Sequence, residues 1–350
     1  MDDVWIERDT TPSAVEAALR HMLSARYKVS EAYAPARVLN VVVIVDKQFQ
    51  GEVGNRLRRV GRYHPSRLIL CTVSPGRRKM DAMVTLSSDV DEPKPGEIAV
   101  VRERVELAIG ERHLQSLDTI VDPLLVGDIV TLAWAPHGHL VGLNRLRRLA
   151  AIVLLDSQDE PEVREALSRA AGLAEHAYIV DLAWLRSTPW RERVAAAFDP
   201  PALRRSLGAI EHVTVRHRHD SAASGLLFCG WLASRLGWRP ETLLHRGDAL
   251  VGHARSKRSE VTIVCEPIDM DAPGLCGVTI KTAAGESVTL DRAPGGLRAS
   301  RTAKDGTEQS WRMLGASRGE GGILGEGVRQ ALLRDPTYLP ALSAARAMAA

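Results

Sequence analysis

The sequence predicts an α/β fold: an N-terminal mixed α/β domain, then a second α/β domain with an antiparallel β-rich region and C-terminal helices. Three observations carry that expectation. Arg37 to Val45 is nearly continuous and β-branched, as in a strand buried on both faces of a parallel sheet. A helix-period segment and a second apolar run, Leu68 to Val73, complete a β-α-β pattern. Between Glu260 and Leu314, by contrast, short β-like runs follow one another with a turn signal at Gly285. At about 100–200 residues per domain, the 350 residues divide into two, expected at 1–172 and 173–350.

The elements follow in order. A capping box of Ser13 and Glu16 opens the first helix, with Pro12 just ahead of it, and Val15, Ala18, Leu19, Met22 and Leu23 share one face. After the first buried strand, Val53, Leu57 and Val60 mark a second helix that Gly61 is placed to end. Beyond Leu68 to Val73 the period becomes two. Residues 80–88 and 97–109 read as antiparallel strands with one solvated face, joined by Asp91 to Gly96. Strands are expected at Ile129 to Ala135 and Ile152 to Leu155, around a short basic helix at Leu143 to Leu149. A helix carrying Val163, Ala166, Leu167 and Ala170 then runs toward Gly172.

Tyr178 to Leu182 opens the second half as a strand. Pro189 starts a helix capped by Ser187 or Thr188, which Asp199-Pro200-Pro201 stops. Val213 to His217 is a strand candidate, and the helix from about Ser221 to Leu236 ends at Gly237. Gly225 and Gly230 inside that helix cost about 1 kcal/mol each against alanine, so close packing of their face is the expected reason for them. Two helices close the chain, the second after Asp335-Pro336.

Composition excludes several classes. A net charge of +3, from 46 basic and 43 acidic residues, is no electrostatic footprint for a nucleic-acid binder. The longest apolar runs are strand-sized, far below the roughly 20 residues of a membrane helix. The acidic start, Met1-Asp2-Asp3, lacks the basic region of a signal peptide. Four scattered cysteines without a C-x-x-C suit a reducing cytoplasm.

Catalytic motifs are hard to find. The turn after the first strand, Asp46-Lys47-Gln48-Phe49-Gln50-Gly51-Glu52-Val53-Gly54, lacks the G-x-G-x-x-G that lets a backbone approach a pyrophosphate, so no cofactor is expected. His137 and His139, and His217 and His219, each form an H-x-H without a third metal ligand at suitable spacing, and loop or strand-end histidines are the favoured reading. Cys265 and Cys276 are close enough in sequence to meet across a turn, although two small buried hydrophobes are the stronger reading.

Three segments look unlike plain core. Gly61 to Arg67 gathers Arg62, Tyr63, His64, Ser66 and Arg67 in one loop, a set suited to a phosphate or a carboxylate-rich surface; a helix C-terminus whose basic residues satisfy the helix dipole is the equal alternative. The stretch Gly110 to Leu125 is apolar yet studded with paired charges, as in a buried joint or partner surface. Asp181 to Arg191 sets Trp184 and Trp190 beside Arg186 and Arg191, the residue types enriched at interface hot spots; tryptophan packed in a core is the equal alternative.

These segments, with Trp134 to His137 and Gly230 to Trp238, resemble the OpcA family of glucose-6-phosphate dehydrogenase assembly proteins, over roughly residues 35–240. The resemblance implies a non-catalytic subunit that binds glucose-6-phosphate dehydrogenase and favours its active oligomer, with no catalytic residues to carry over. Arg62, Tyr63, His64, Arg67, Trp184, Arg186, Trp190 and Arg191 are then the candidate partner contacts. The alternative is a sensor in which Arg62, His64 and Arg67 bind a sugar phosphate or nucleotide and report to the same dehydrogenase.

Overall fold

Nine strands build the first sheet of the computed structural model, which describes every residue except 1, 31, 36, 61–65, 89, 91–98, 258, 315–318 and 350. They are β1 (Asp3–Glu7), β2 (Tyr33–Pro35), β3 (Leu39–Asp46), β4 (Ser66–Ser74), β5 (Asp81–Ser88), β6 (Ala99–Gly110), β7 (Val130–Trp134), β8 (Ile152–Leu155) and β9 (Tyr178–Asp181). Their order is β1-β5-β6-β4-β3-β7-β8-β9, with β2 also on β6. From β6 through β8 the pairing is parallel, and β1 and β5 add antiparallel to one edge. β3 is buried from Leu39 through Val45, whereas β5 and β6 alternate buried with half-buried residues. Continuous and alternating patterns thus mark the covered and the one-sided strands of one sheet.

Local chemistry shifts several expected boundaries. The first helix, Pro12–Val29, is capped by Thr11, whose Oγ1 accepts from the Ala14 amide at 3.3 Å, rather than by a box at Ser13. Pro12 takes the first turn, where its missing N–H costs nothing, and Glu16 pairs instead with Arg20 one turn on. The helix Val163–Ala174 passes through Gly172, and the second helix, Gln50–Val60, adjoins Gly61, which lies outside the described residues, as does the Asp91 to Gly96 link. Gly110 to Leu125 folds into short helical turns whose Leu114, Leu117, Ile120, Val121 and Leu124 belong to the core under the first sheet. Its apolar side chains are there for burial, and its charges face outward.

The second sheet holds β10 (Ile210–Arg218), β11 (Arg239–Pro240), β12 (Leu244–Arg246), β13 (Ala249–Arg255), β14 (Glu260–Ile268), β15 (Leu275–Thr282), β16 (Ser287–Ala293), β17 (Gly296–Thr302) and β18 (Glu308–Leu314). The order is β11-β13-β14-β10-β15-β16-β17-β18, with β12 on β13; only β10 and β14 run parallel. Because β10 lies between β14 and β15, Cys265 and Cys276 are not neighbours. Cys265 instead meets Cys229 of the helix Ala222–Leu236, with their sulfurs 3.4 Å apart. That bond, then burial, pushes the Cys229 thiol up.

Contacts divide the chain into two units that interleave in sequence. One holds Met1–Leu155, His176–Val180 and Glu320–Leu333; the other holds Asp156–Glu175, Asp181–Gly319 and Arg334–Ala350. In the second, Ala222–Leu236 packs against the C-terminal helix Tyr338–Ala349. Close approach accounts for both interior glycines. A Cβ on Gly225 would lie 2.9 Å from His217 Cδ2, and one on Gly230 only 2.2 Å from the Ala341 carbonyl oxygen. No helix among the described residues is long and apolar enough to cross a membrane.

Candidate functional site

The richest polar cluster grows from the segment after β9. Asp181, at the strand's end, caps the short helix Leu182–Arg186 by accepting from the Ala183 amide at 2.9 Å. Ser187 closes that turn, and Thr188 and Pro189 begin the next helix, Thr188–Ala197. The two helices meet at Ser187, which brings Arg191 back over Trp184. Its guanidinium lies 3.5 Å from the indole centroid and donates to Ser187 Oγ at 3.1 Å and Thr188 Oγ1 at 2.9 Å.

The Trp184 indole donates to Asp335 at 2.8 Å and meets Tyr338 edge-on at 5.6 Å. Arg186 forks onto Asp156 with bonds of 2.8 and 2.6 Å, a bidentate pair of the kind that fixes geometry as well as charge. Trp184 and Trp190 are each 2% exposed and Arg191 9%. All four candidates of this segment therefore lie inside the second unit, Trp184, Arg186 and Arg191 bonded to its own residues, where the sequence alone allowed either core or surface. Desolvation lowers the Arg191 value to about 10. Burial pushes Asp335 up, but bonds from Thr337 and Trp184 and the charge of Arg191 outweigh it and leave its carboxyl low.

Asp181 is the unusual member. Its carboxylate, 1% exposed, accepts from Ser157 N at 3.1 Å, Ser157 Oγ at 2.6 Å and Tyr338 Oη at 3.0 Å. Burial, then the neighbouring Asp156 charge, still pushes it up to about 6. That lies above the usual unfolded carboxyl value of about 3.9, so the folded protein holds this proton more tightly. The stabilisation is complete below about pH 4 and is lost as pH rises through about 6. Asp181→Asn keeps a neutral group there. Wild type is expected to lose on the order of 2–3 kcal/mol relative to this variant between those limits, and urea unfolding across that range checks it. Parallel pH curves would refute the assignment.

Arg67 has a similar fate in the first unit. On β4 it donates to Glu103 at 2.5 Å and to the Leu124 carbonyl at 2.8 Å, and desolvation lowers its value. It is a buried ion-pair member shared with Arg37, not a loop cation. Arg62, Tyr63 and His64 lie outside the described residues.

At the carboxyl end of β3, Phe49 stacks on His137 with ring centroids 4.0 Å apart, and His139 Nε2 lies 3.1 Å from Asp46 Oδ1. Among the described residues no group of three or more His, Cys, Asp or Glu side chains is arranged to hold a metal. The pairing of Cys229 with Cys265 and the acid pair Asp156–Asp181 were missed in sequence because each joins segments distant along the chain.

Two family models match. The one described as glucose-6-phosphate dehydrogenase subunit N-terminal domain covers residues 58–172, and that for the C-terminal domain of the same subunit covers residues 177–342. OpcA of Synechococcus elongatus, named as an OxPP cycle protein, is 28% identical over 187 residues, 52% of this chain and 42% of that protein. OpcA of Nostoc punctiforme is 35% identical over 142 residues, 39% and 30% respectively. The matched region thus spans less than half the length of these relatives. Among solved structures, a dehydrogenase from Chromobacterium violaceum is similar at a TM-score of 0.47 and 12% identity, covering 89% of this chain and 94% of that one. The apo scyllo-inositol dehydrogenase of Lactobacillus casei is similar at 0.44 and 12%, covering 90% and 96%.

Proposed function

The chain belongs to the OpcA family of glucose-6-phosphate dehydrogenase subunits, and from that premise we propose that it is a non-catalytic partner that binds this dehydrogenase and favours its active oligomer. The single observation behind this reading is that both subunit models match, one after the other, from residue 58 to residue 342. The turn after β3 supports it, because Lys47-Gln48-Phe49-Gln50 stands where a dinucleotide site needs glycines.

A partner of this kind works by differential affinity. It shifts the dehydrogenase only as far as it binds the active assembly more tightly than the inactive one. On this reading Arg62, Tyr63 and His64 are the candidate contacts of the first unit. Trp184, Arg186, Trp190 and Arg191, being buried, serve by holding the second unit in its binding shape. A reducing cytoplasm suits the buried, unbridged thiols.

Titrating the same organism's dehydrogenase with this protein, while following particle size by light scattering, tests the reading. A saturable rise in activity accompanied by a larger complex is the expected result. Unchanged rate and unchanged particle size would refute it.

A further inference from the structure

The helices of the second unit cover one face of its sheet, where Val213, Val215, Ile263, Val278, Ile280 and Leu290 are buried. On the opposite face the cross-strand register lines up a row perpendicular to the strands. Val251 pairs with Val264, Val264 with Thr214, Thr214 with Thr279, Thr279 with Thr289, and Thr289 with Ser300. Leu244, 66% exposed, extends the row on β12. None of these side chains is buried, and none is longer than leucine.

The next row on the same face is charged. Arg216 pairs in register with Glu266 and Gly277, Gly277 with Asp291, Asp291 with Arg298, and Arg298 with Arg312. A Cβ on Gly277 would lie 2.4 Å from Arg216 Nε, so the glycine lets that side chain lie flat across the sheet and reach Asp291 at 2.7 Å. Asp291 is thereby occupied. Arg298 and Arg312 remain directly opposite one another, both exposed and without an ion pair among the described residues. Like charges in that relation are destabilising. Arginine is also among the residue types enriched at protein interfaces.

We propose that this open face is a docking surface for an acidic protein surface, whose carboxylates pair with Arg298 and Arg312 while its body rests on the row from Val251 to Ser300. A second copy of this chain is the poorer occupant, because it would bring its own arginines and like-charge juxtaposition is costly. The inference rests on the proposed function, which makes the dehydrogenase the partner, and adds where that partner sits.

The test compares wild type with two full-length variants, R298E/R312E and T289E, in binding to the same organism's dehydrogenase at low and moderate salt. Both changes are on the surface, and equal melting temperatures verify folding. Expected is a saturable wild-type complex weakened by salt, and affinity reduced about tenfold or more in each variant. The double variant should also lose most of the salt dependence. Wild-type binding that both folded variants retain overturns the docking surface and leaves the function standing. Absence of wild-type binding overturns both. Self-association of wild type that the variants abolish, with dehydrogenase binding intact, assigns the face to a second copy and likewise overturns the proposal.

Discussion

Gly230→Ala is expected to destabilise the second unit by about 3 kcal/mol or more, toward the upper end for an overpacked core. Alanine is intrinsically the better helix former by about 1 kcal/mol, so an isolated helix would gain from the change. In the folded chain the added methyl would sit 2.2 Å from the Ala341 carbonyl oxygen and 2.9 Å from the Ala345 nitrogen. Both neighbours are backbone of a helix and cannot rotate away, so the two helices must separate. At about 2–4 °C per kcal/mol for a unit of this size, the midpoint should fall by roughly 6–12 °C. Tryptophan fluorescence is the suitable probe, since Trp184, Trp190, Trp231, Trp238 and Trp311 all lie in this unit. Gly172→Ala is the matched comparison. Outside its own stretch of helix no atom lies within 4 Å of its added methyl, and that change should stabilise by about 0.5–1 kcal/mol. Equal behaviour of the two variants would contradict the packing account.

Arg186→Ala should cost about 3–5 kcal/mol, the usual penalty for removing one partner of a buried ion pair. Arg186 and Asp156 are 8% and 5% exposed at their side chains. Without the guanidinium, the Asp156 carboxylate loses its cation beside the fully buried Asp181. Removing both charges, as in D156N/R186M, should recover much of the loss, because it is the unpaired charge that is costly. Urea unfolding of the two single variants and the double variant measures this. Single variants within about 1 kcal/mol of wild type would refute a buried pair. The same result governs how loss of partner binding in any Arg186 variant is read, since a variant that unfolds tells nothing about contact.

Most of the element pattern was legible in the sequence for identifiable reasons. β3 and β4 announce themselves because a strand covered on both faces needs apolar side chains in succession. β5 and β6 do so because one covered face imposes a period of two. β13 and β17 were not anticipated: Ala249 to Arg255 contains Gly252 and His253, and Gly296 to Thr302 contains two arginines. Each becomes a strand through pairing with β14 or β16, which local propensity does not record. The candidate site followed the same division. Trp and Arg between Asp181 and Arg191 stood out by type, but whether they faced solvent depended on Asp156 and Asp335, far away in the chain.

Sequence alone determined the α/β class, the order of most elements and the family, because burial periodicity and long ordered runs of residues are local properties. It also marked Gly225 and Gly230 as needing an explanation, since glycine inside a helix is costly without one. Tertiary structure decided what those features are for. It put the Ala341 backbone against Gly230, turned the prominent Trp/Arg segment inward onto Asp156 and Asp335, separated Cys265 from Cys276 by inserting β10, and set Cys265 against Cys229 of the helix packed on β14. It also aligned Val251 to Ser300 and the arginines beside them on one open face, because cross-strand register joins residues that no sequence window contains.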